Sequence, residues 1–146
     1  MTVSKLFTTE QKHQIKLAIE SAELDTSGEI RVHIENTCSG DVMDRVSFIF
    51  DKLGMQKTEL RNGVLVYLAV KNRKFAIIGD AGINKVVPTD FWEKIKSKML
   101  INFREDKFTE GLVEAIKETG EQLKKHFPYQ TNDVNELSDE ISFEDN

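Results

Sequence analysis

The sequence predicts an α/β protein in which a small mixed sheet with a β-hairpin lies between helices, as a three-layer α/β/α sandwich. Residues 64–70 and 75–78 are almost uninterrupted apolar runs, which are typical of strands covered on both faces. Only residues 71–74 separate them, and a connection this short predicts a hairpin. Segments with helical apolar spacing precede and follow the two runs, so about four helices are expected to form the outer layers.

The predicted helices are marked by capping signals as well as by apolar spacing. They span residues 8–23, 41–53 and 108–125, and a further helix begins around residues 88–90. Thr8 and Gln11 have the spacing of a capping box, and Gly54 suits the position after a helix end. Proline is acceptable only around the start of a helix, so Pro88 favours a start directly after it.

The segment Glu29–Glu35 alternates between polar and apolar side chains, which predicts a half-buried strand near an edge of the sheet. Ile30, Val32 and Ile34 face one way, and the polar residues between them are expected to face solvent. The stretch 29–70 is long enough for a parallel strand–helix–strand crossover. The third strand must then run antiparallel, because the hairpin turn is short.

The net charge of −5 is concentrated at the carboxyl end of the 146-residue chain. Residues 127–146 contain six acidic residues and no Lys or Arg, which leaves 20 basic and 19 acidic residues in the rest. We therefore predict one domain over residues 1–126 and an acidic tail over residues 127–146. The nearly neutral domain argues against a nucleic-acid-binding protein, which would present a basic face.

Two interpretations of the acidic tail stay open. Its composition favours disorder with sparse contacts to the domain. The tail also contains four apolar residues that could instead dock on the domain: Val134, Leu137, Ile141 and Phe143.

The chain shows no sequence signal for export or membrane insertion. Cys38 is the only cysteine, so no internal disulfide can form. The first residues lack the apolar core of a signal peptide, and no stretch approaches the ~20 apolar residues of a membrane span. We expect a cytoplasmic protein without membrane insertion.

The predicted topology brings polar residues from several segments to one end of the sheet. Glu29 and Asn62 start the first two strands, Asp80 leaves the third, and Asp90 ends the loop that follows. Oxygen ligands from several loops are what a hard cation such as Ca²⁺ or Mg²⁺ requires. Each residue also has a simpler interpretation: solvation for Glu29, turn formation for Asp80 and helix N-capping for Asp90.

Other chemistries have weaker support. The sequence contains no G-x-x-x-x-G-K-[ST] phosphate loop and no G-x-G-x-x-G after a strand. His33 shares a strand face with Glu29 and is a candidate for a role near the site. Cys38 is a candidate nucleophile if it pairs with His33. Cation binding is therefore favoured over catalysis.

Four segments resemble the TPM domain, a family found in thylakoid acid-phosphatase-like proteins of photosystem II repair and in many bacterial proteins. They are SGEIRV (27–32), RNGVLV (61–66), the hairpin and loop from NRK (72–74) to TD (89–90), and FREDKF (103–108) followed by Gly111 and Leu112. In this order they cover roughly residues 8–126. The chain looks most similar to a short cytosolic bacterial branch of the family.

The resemblance implies an α/β/α sandwich, a divalent-cation site in a groove at loop ends, and an acid-phosphatase activity. By position, the metal-ligating residues it implies are Glu29, Asn62, Asp80, Asp90 and Asp106. We accordingly predict a Ca²⁺- or Mg²⁺-binding domain with an interaction or regulatory role, whose partners are the cation and another protein. The alternative is a metal-dependent hydrolase of phosphomonoesters or nucleotides, which would bind a phosphate-containing small molecule through Arg61 and Arg104.

Overall fold

The computed structural model describes residues 2–129 and 137–146 of the chain. Within them the helices are α1 Thr9–Glu23, α2 Val42–Lys52, α3 Ala81–Asn84, α4 Phe91–Arg104 and α5 Phe108–His126. The strands are β1 Glu29–Glu35, β2 Gly63–Ala69, β3 Lys74–Gly79 and β4 Ser142–Glu144, and short 3₁₀ helices cover Val3–Leu6 and Met55–Lys57. All predicted helices and strands are present, whereas α3 and β4 are additional.

The described strands form one mixed sheet in the order β3-β2-β1-β4. β1 and β2 run parallel, with Glu29 opposite Gly63. β3 returns antiparallel beside β2, so that Gly79 lies opposite Val64. The predicted parallel crossover and hairpin are both confirmed. As a result, the amino ends of β1 and β2 and the carboxyl end of β3 meet at the same end of the sheet.

Three helices cover one face of the sheet. β1 and β2 turn alternate residues such as Val32 and Val66 towards this layer, where they are fully buried. Helices α1, α4 and α5 each add an apolar stripe, which includes Ile15, Ile19, Ile95, Met99, Leu112 and Ile116. Burying one side chain of this size contributes about 1.5–3 kcal/mol, so this layer forms the main core.

Helix α2 covers the opposite face. Its residues Val46, Ile49 and Phe50 pack with Leu65 and Tyr67 of β2 in a second, smaller core. Helices therefore lie on both sides of the sheet, and the predicted three-layer α/β/α sandwich is confirmed.

The expectation that the polar face of β1 is solvated is wrong. Its residues Glu29, His33 and Glu35 are at most 2% exposed. β1 lies next to the edge of the sheet, but β4 pairs with its free side. Residues of α2 and of the carboxyl-terminal segment then cover the polar side chains.

Residues 137–146 belong to the fold, so the interpretation of the tail as disordered with sparse contacts is wrong for them. Ser142–Glu144 pair in parallel with β1. Three of the apolar residues predicted as docking candidates pack against the two cores, namely Leu137, Ile141 and Phe143. The fourth, Val134, lies outside the described residues.

The helix ends agree with the capping signals in the sequence. Thr8 Oγ1 accepts a hydrogen bond from the Gln11 amide at 3.0 Å, and Gln11 Oε1 accepts one from the Thr8 amide at 2.9 Å. Gly54, after α2, has a φ of 69°, a left-handed conformation that glycine adopts without a steric penalty. Among the described helices, none combines the length and apolar character needed to cross a membrane.

Candidate cation site

The amino ends of β1 and β2 hold two of the predicted ligands side by side. The Glu29 amide donates a hydrogen bond to the Asn62 carbonyl oxygen at 3.3 Å. Glu29 is 2% exposed and Asn62 is 1% exposed. The structure therefore brings these two residues together, in a buried position next to the end of the sheet.

A third carboxyl group, which the sequence analysis missed, reaches this position from the end of α1. Glu23 Oε2 accepts a hydrogen bond from the Ile30 amide at 2.8 Å. Burial raises the pKa of Glu23, and a hydrogen bond with Asp139 and the negative charges of Asp139 and Glu29 contribute, giving a pKa of about 10. Glu23 thus hydrogen-bonds with Asp139 and is affected by the charge of Glu29, and its raised pKa favours the protonated form.

The sequence contained a signal for Glu23 but none for Asp139. An acid in the last turn of a helix lies at the negative end of the helix dipole and is unfavourable there, which marks Glu23 as unusual. Asp139 is one of several acids in an acidic segment, and no pattern distinguishes it. We refer to Glu23, Glu29, Asn62 and Asp139 together as the amino-end site.

Several buried polar atoms without hydrogen bonds belong to the amino-end site or to the segment just before β2. In the described ranges they include both side-chain polar atoms of Asn62, Asp139 Oδ1, Thr58 Oγ1 and Gln56 Oε1. Thr58 lines a cavity of about 360 Å³ together with Leu137, two residues before Asp139. Each unpaired buried group costs roughly 1–3 kcal/mol, and native proteins usually supply a partner such as a water molecule or an ion. The oxygen-rich donor set suits a hard cation.

One positively charged residue follows closely on the same strand. Arg31 lies on the same face of β1 as Glu29, and burial lowers the pKa of its guanidinium group. Its Nε makes no hydrogen bond within the described residues. Arg31 is thus a half-buried basic residue on the face of β1 that carries Glu29.

Asp80 lies at the same end of the sheet, but its carboxylate is already engaged. It accepts hydrogen bonds from Arg61 Nε at 2.6 Å and Nη2 at 2.8 Å. A third comes from the Ala81 amide at 2.7 Å, which makes Asp80 the N-cap residue of α3. These contacts agree with the simpler interpretation of Asp80 as a turn residue, and both of its carboxylate oxygens are already bonded to Arg61.

No described hydrogen bond or ion pair brings Asp90 or Asp106 to the amino-end site. Asp90 precedes α4 without the expected side-chain capping bond, and its carboxylate lies 3.4 Å from Lys94 Nζ. Asp106 accepts a hydrogen bond at 2.7 Å from Arg73, in the β2–β3 turn. This turn is at the opposite end of the sheet from Asn62, about 20 Å away along β2. One ion therefore cannot bind both Asn62 and Asp106.

A second group of buried ionisable residues lies at the other end of β1. His33 Nε2 and Arg45 Nη2 hydrogen-bond to Glu35 Oε1 at 3.0 and 2.7 Å, and Tyr67 donates to the same carboxylate. Burial raises the pKa of Glu35, but the hydrogen bonds outweigh it and lower the pKa to about 2. Arg45 also binds Glu144 of β4 at 2.7 Å. We refer to these five residues as the buried ion network.

The buried ion network has metal-ligand spacing, but its carboxylates are already paired with basic side chains. One ligand atom from each of His33, Glu35 and Glu144 lies within 4.8 Å of the others. However, the guanidinium of Arg45 occupies the space between the two carboxylates by binding both. The network therefore has little need of a further cation.

His33 and Cys38 do not form the nucleophile pair considered from the sequence. His33 Nδ1 lies 2.8 Å from Ser142 Oγ, while Nε2 is bonded to Glu35. Cys38 Sγ points to the Gly40 carbonyl oxygen at 3.7 Å. Burial lowers the pKa of His33, so the ring stays neutral and links β1 to β4.

Family comparison agrees with this architecture. The model of the TPM domain family matches residues 2–122, and the chain therefore belongs to the TPM domain family. The resemblance seen in the four sequence segments is confirmed. A search of curated proteins found no match.

Solved structures show the same fold. The chain is 43% identical to the BA42 protein of the psychrophilic bacterium Bizionia argentinensis, with a TM-score of 0.90 and coverage of 97% of this chain and 98% of that one. The N-terminal domain of a P. gingivalis protein gives 18% identity, a TM-score of 0.69 and coverages of 86% and 83%. The N-terminal domain of cg2496 from Corynebacterium glutamicum gives 12% identity, a TM-score of 0.66, and coverage of 83% of this chain and 76% of that one. These last two likenesses show the fold alone.

Proposed function

We propose that this TPM-domain protein binds a divalent cation, Ca²⁺ or Mg²⁺, at the amino-end site, and that the cation serves an interaction or regulatory role. The observation that carries the proposal is the Asn62 side chain. It is 1% exposed, and neither its oxygen nor its nitrogen has a hydrogen-bond partner among the described residues. Glu29 lies beside it through a backbone hydrogen bond, and Glu23 and Asp139 bring further carboxyl groups to the amino end of β1.

The electrostatics of the amino-end site support the same proposal. Burial, a hydrogen bond with Asp139 and the negative charges of Asp139 and Glu29 raise the pKa of Glu23, so this environment disfavours an ionised carboxylate there. A divalent cation would reverse this balance, because an opposite charge within a few ångströms favours the ionised carboxylate. Ca²⁺ accepts six to eight oxygen ligands in flexible geometry, and the side-chain oxygens of these four residues could supply most of them.

The proposal keeps Glu29 and Asn62 from the predicted ligand set and adds Glu23 and Asp139. Asp80, Asp90 and Asp106 are given other roles, because each is paired with a basic side chain. The hydrolase alternative stays a prediction. Arg61, its expected phosphate donor, is held by both carboxylate oxygens of Asp80.

Isothermal titration calorimetry with Ca²⁺ and with Mg²⁺ tests the proposal. We expect the unmodified protein to bind at least one of them, and Glu29→Gln to weaken binding about tenfold or more, since even outer partners of a metal site are worth that much. Asp106→Asn is the matched control, because it removes an exposed acid from the other end of the sheet. Its affinity should be unchanged.

The proposal would be wrong if the unmodified protein bound neither cation. It would also be wrong if Glu29→Gln, shown by circular dichroism to be folded, bound as tightly as the unmodified protein.

A further inference from the structure

The outer edge of β1 is covered by the carboxyl end of the chain. β4 pairs in parallel with residues 33–35 and is the last strand on that side of the described sheet. The match to the TPM domain ends at residue 122, so β4 lies beyond it. In the matched part the described strands have the order β3-β2-β1, which leaves β1 at the edge. A strand edge is a place where a further strand can add.

On one face of the sheet, β4 is held by polar and charged contacts. Glu144 binds Arg45 Nη2 at 2.7 Å and Lys52 Nζ at 3.1 Å. Ser142 Oγ, which precedes it on the same face, lies 2.8 Å from His33 Nδ1. This face therefore recognises a carboxylate and a small hydroxyl group two residues apart, the spacing of side chains on one face of a strand.

On the other face, β4 is held by its aromatic residue. The ring of Phe143 packs against the ring of Phe7, with a centroid distance of 6.2 Å. Lys12 Nζ lies over the same ring, 5.5 Å from its centroid. A cavity of about 150 Å³ adjoins this contact, and Lys16 and Ile141 also line it. This face therefore accepts an aromatic side chain beneath a lysine.

Charge complementarity extends along the whole segment that includes β4. Glu140 pairs with Lys16 at 2.5 Å, and the Asp145 carboxylate accepts a hydrogen bond from the Val3 amide at 2.6 Å. The segment thus contributes acids, whereas the domain contributes basic side chains on both sides of the edge, namely Lys12, Lys16, Arg45 and Lys52. A basic edge of this kind favours an acidic strand.

We propose that the outer edge of β1 is a docking site for an extended acidic segment of a partner protein, in which an aromatic residue is followed directly by an acid. Residues 140–146 occupy this site as an intramolecular competitor. In strand addition, main-chain hydrogen bonds supply affinity, and contacts to alternate side chains supply specificity. The inference does not depend on a bound cation and goes beyond the proposed function.

The contacts of β4 suit an occupant that can be displaced. β4 has three residues, all of them only partly buried, and it pairs with β1 alone in the described sheet. Elements with few buried contacts open at low free-energy cost. While β4 is in place, it lowers the apparent affinity for a partner in proportion to the fraction of molecules in which the edge is open. The resident segment is therefore autoinhibitory.

Fluorescence anisotropy with the full-length protein tests the proposal, and the probe is a fluorescein-labelled peptide of residues 137–146. The measurement is made in chelator, so its failure would leave the proposed cation binding untouched. We expect Glu144→Arg to bind the peptide at least about tenfold more tightly than the unmodified protein, because Arg45 and Lys52 repel the altered resident strand and open the edge. Phe143→Ala should act in the same direction without a change of charge.

A matched control variant and two altered peptides complete the test. Glu118→Arg reverses an acid that pairs with Lys98 between α4 and α5, and it should bind the peptide as the unmodified protein does. With Glu144→Arg as the receptor, peptides that carry Phe143→Ala or Glu144→Gln should bind at least about fivefold more weakly, because each loses an aromatic or a charge-assisted contact.

Three results would overturn the proposal. The first is that folded Glu144→Arg and Phe143→Ala bind the peptide no more tightly than the unmodified protein, or bind a peptide of scrambled order equally well. The second is that both variants are unfolded by circular dichroism, since β4 would then be a required part of the fold. The third is that the unmodified protein forms dimers in light scattering that Glu144→Arg dissociates, which would assign the edge to a second copy of this chain.

Discussion

At the scale of single residues, Asn62 and Asp80 show why hydrogen-bond partners matter more than residue type. Both lie at the same end of the sheet and both are buried. Asp80 is bonded by Arg61 and by the Ala81 amide, so it stabilises the local fold. Asn62 has no such partner in the described part of the chain. An unpaired buried amide indicates a ligand more strongly than a paired carboxylate does.

Substitution of Asp80 separates these two roles. Asp80→Ala should destabilise the protein by about 1–2 kcal/mol, because α3 loses its N-cap residue, and should leave cation affinity unchanged. Asp106→Asn, at an exposed ion pair, should change stability by no more than about 0.5 kcal/mol. Urea denaturation measures the stability of both variants, and calorimetry measures the cation affinity of Asp80→Ala. Loss of cation binding in Asp80→Ala, with the fold intact, would place the site at Asp80 instead.

The sequence was sufficient to predict that Glu29 and Asn62 lie together, because their positions follow from the topology alone. Parallel strands that start at these residues must bring them together. The position of Asp139 could not be predicted from the sequence. The path of the carboxyl-terminal segment depends on contacts with Arg45, Lys52 and Thr37, and these contacts have no local sequence pattern.

At the scale of elements, helix α3 fits against the chain before β2 only because residue 82 is glycine. A Cβ atom there would lie 2.2 Å from the Leu60 carbonyl oxygen and 2.7 Å from that of Arg61. The Gly82 amide donates to the same Arg61 oxygen at 2.9 Å. This contact holds the end of β3 beside the start of β2, next to the amino-end site.

Substitution of Gly82 therefore has a defined structural cost. Gly82→Ala should lower the free energy of unfolding by about 1–3 kcal/mol, as overpacking of a rigid backbone contact does. Gly40→Ala is the control, since no atom lies within 4 Å of an added Cβ there, and its effect should stay within about 0.5 kcal/mol. Equal unfolding midpoints in urea for the two variants would contradict this account of α3.

The elements also show where sequence patterns stop being informative. β2 is apolar throughout and buried throughout, so its strand and its two covering layers were predictable. β4 contains Ser142, Phe143 and Glu144, and no periodicity can be read from three residues. Its strand conformation comes from the open edge of β1 and from the ion pairs of Glu144, both of which are tertiary features.

At the scale of the whole molecule, the acids at the two ends of β1 differ in their partners. Both carboxylates of the buried ion network are paired with basic side chains, Glu35 with Arg45 and Glu144 with Arg45 and Lys52, whereas Asn62 at the amino end has no hydrogen-bond partner among the described residues. The network therefore contributes stability as it stands. The amino-end site is expected to contribute fully only when a cation is bound.

The buried ion network predicts a loss of stability in acid. The pKa of Glu35 is depressed from its ordinary value of 4.5 to about 2, so its contribution is present above pH 4.5 and is lost as the pH falls from 4.5 towards 2. The loss should reach about 3 kcal/mol, at 1.36 kcal/mol for each pKa unit. Glu23 does not offset it, because a raised pKa changes stability only between pH 4.5 and about 10.

Glu144 contributes to the same acid dependence. Burial raises the pKa of Glu144, but Lys52 and Arg45 outweigh it and lower the pKa. In urea titrations at pH 7, 4.5 and 3, Glu144→Gln should lose less stability on acidification than the unmodified protein. Parallel curves for the two proteins would show that β4 has no part in the acid response.

The central claim is that a divalent cation binds among Glu23, Glu29, Asn62 and Asp139, and paramagnetic broadening by Mn²⁺ in amide NMR spectra tests it most directly. Mn²⁺ prefers the same oxygen ligands as Ca²⁺ and Mg²⁺. We predict that substoichiometric Mn²⁺ broadens the amide signals of Ile30, Gly63 and Asp139 first, spares Arg73 and Asp106, and is displaced by excess Ca²⁺ or Mg²⁺. Strongest broadening at Asp106, or an even spread over the acidic surface, would contradict the site.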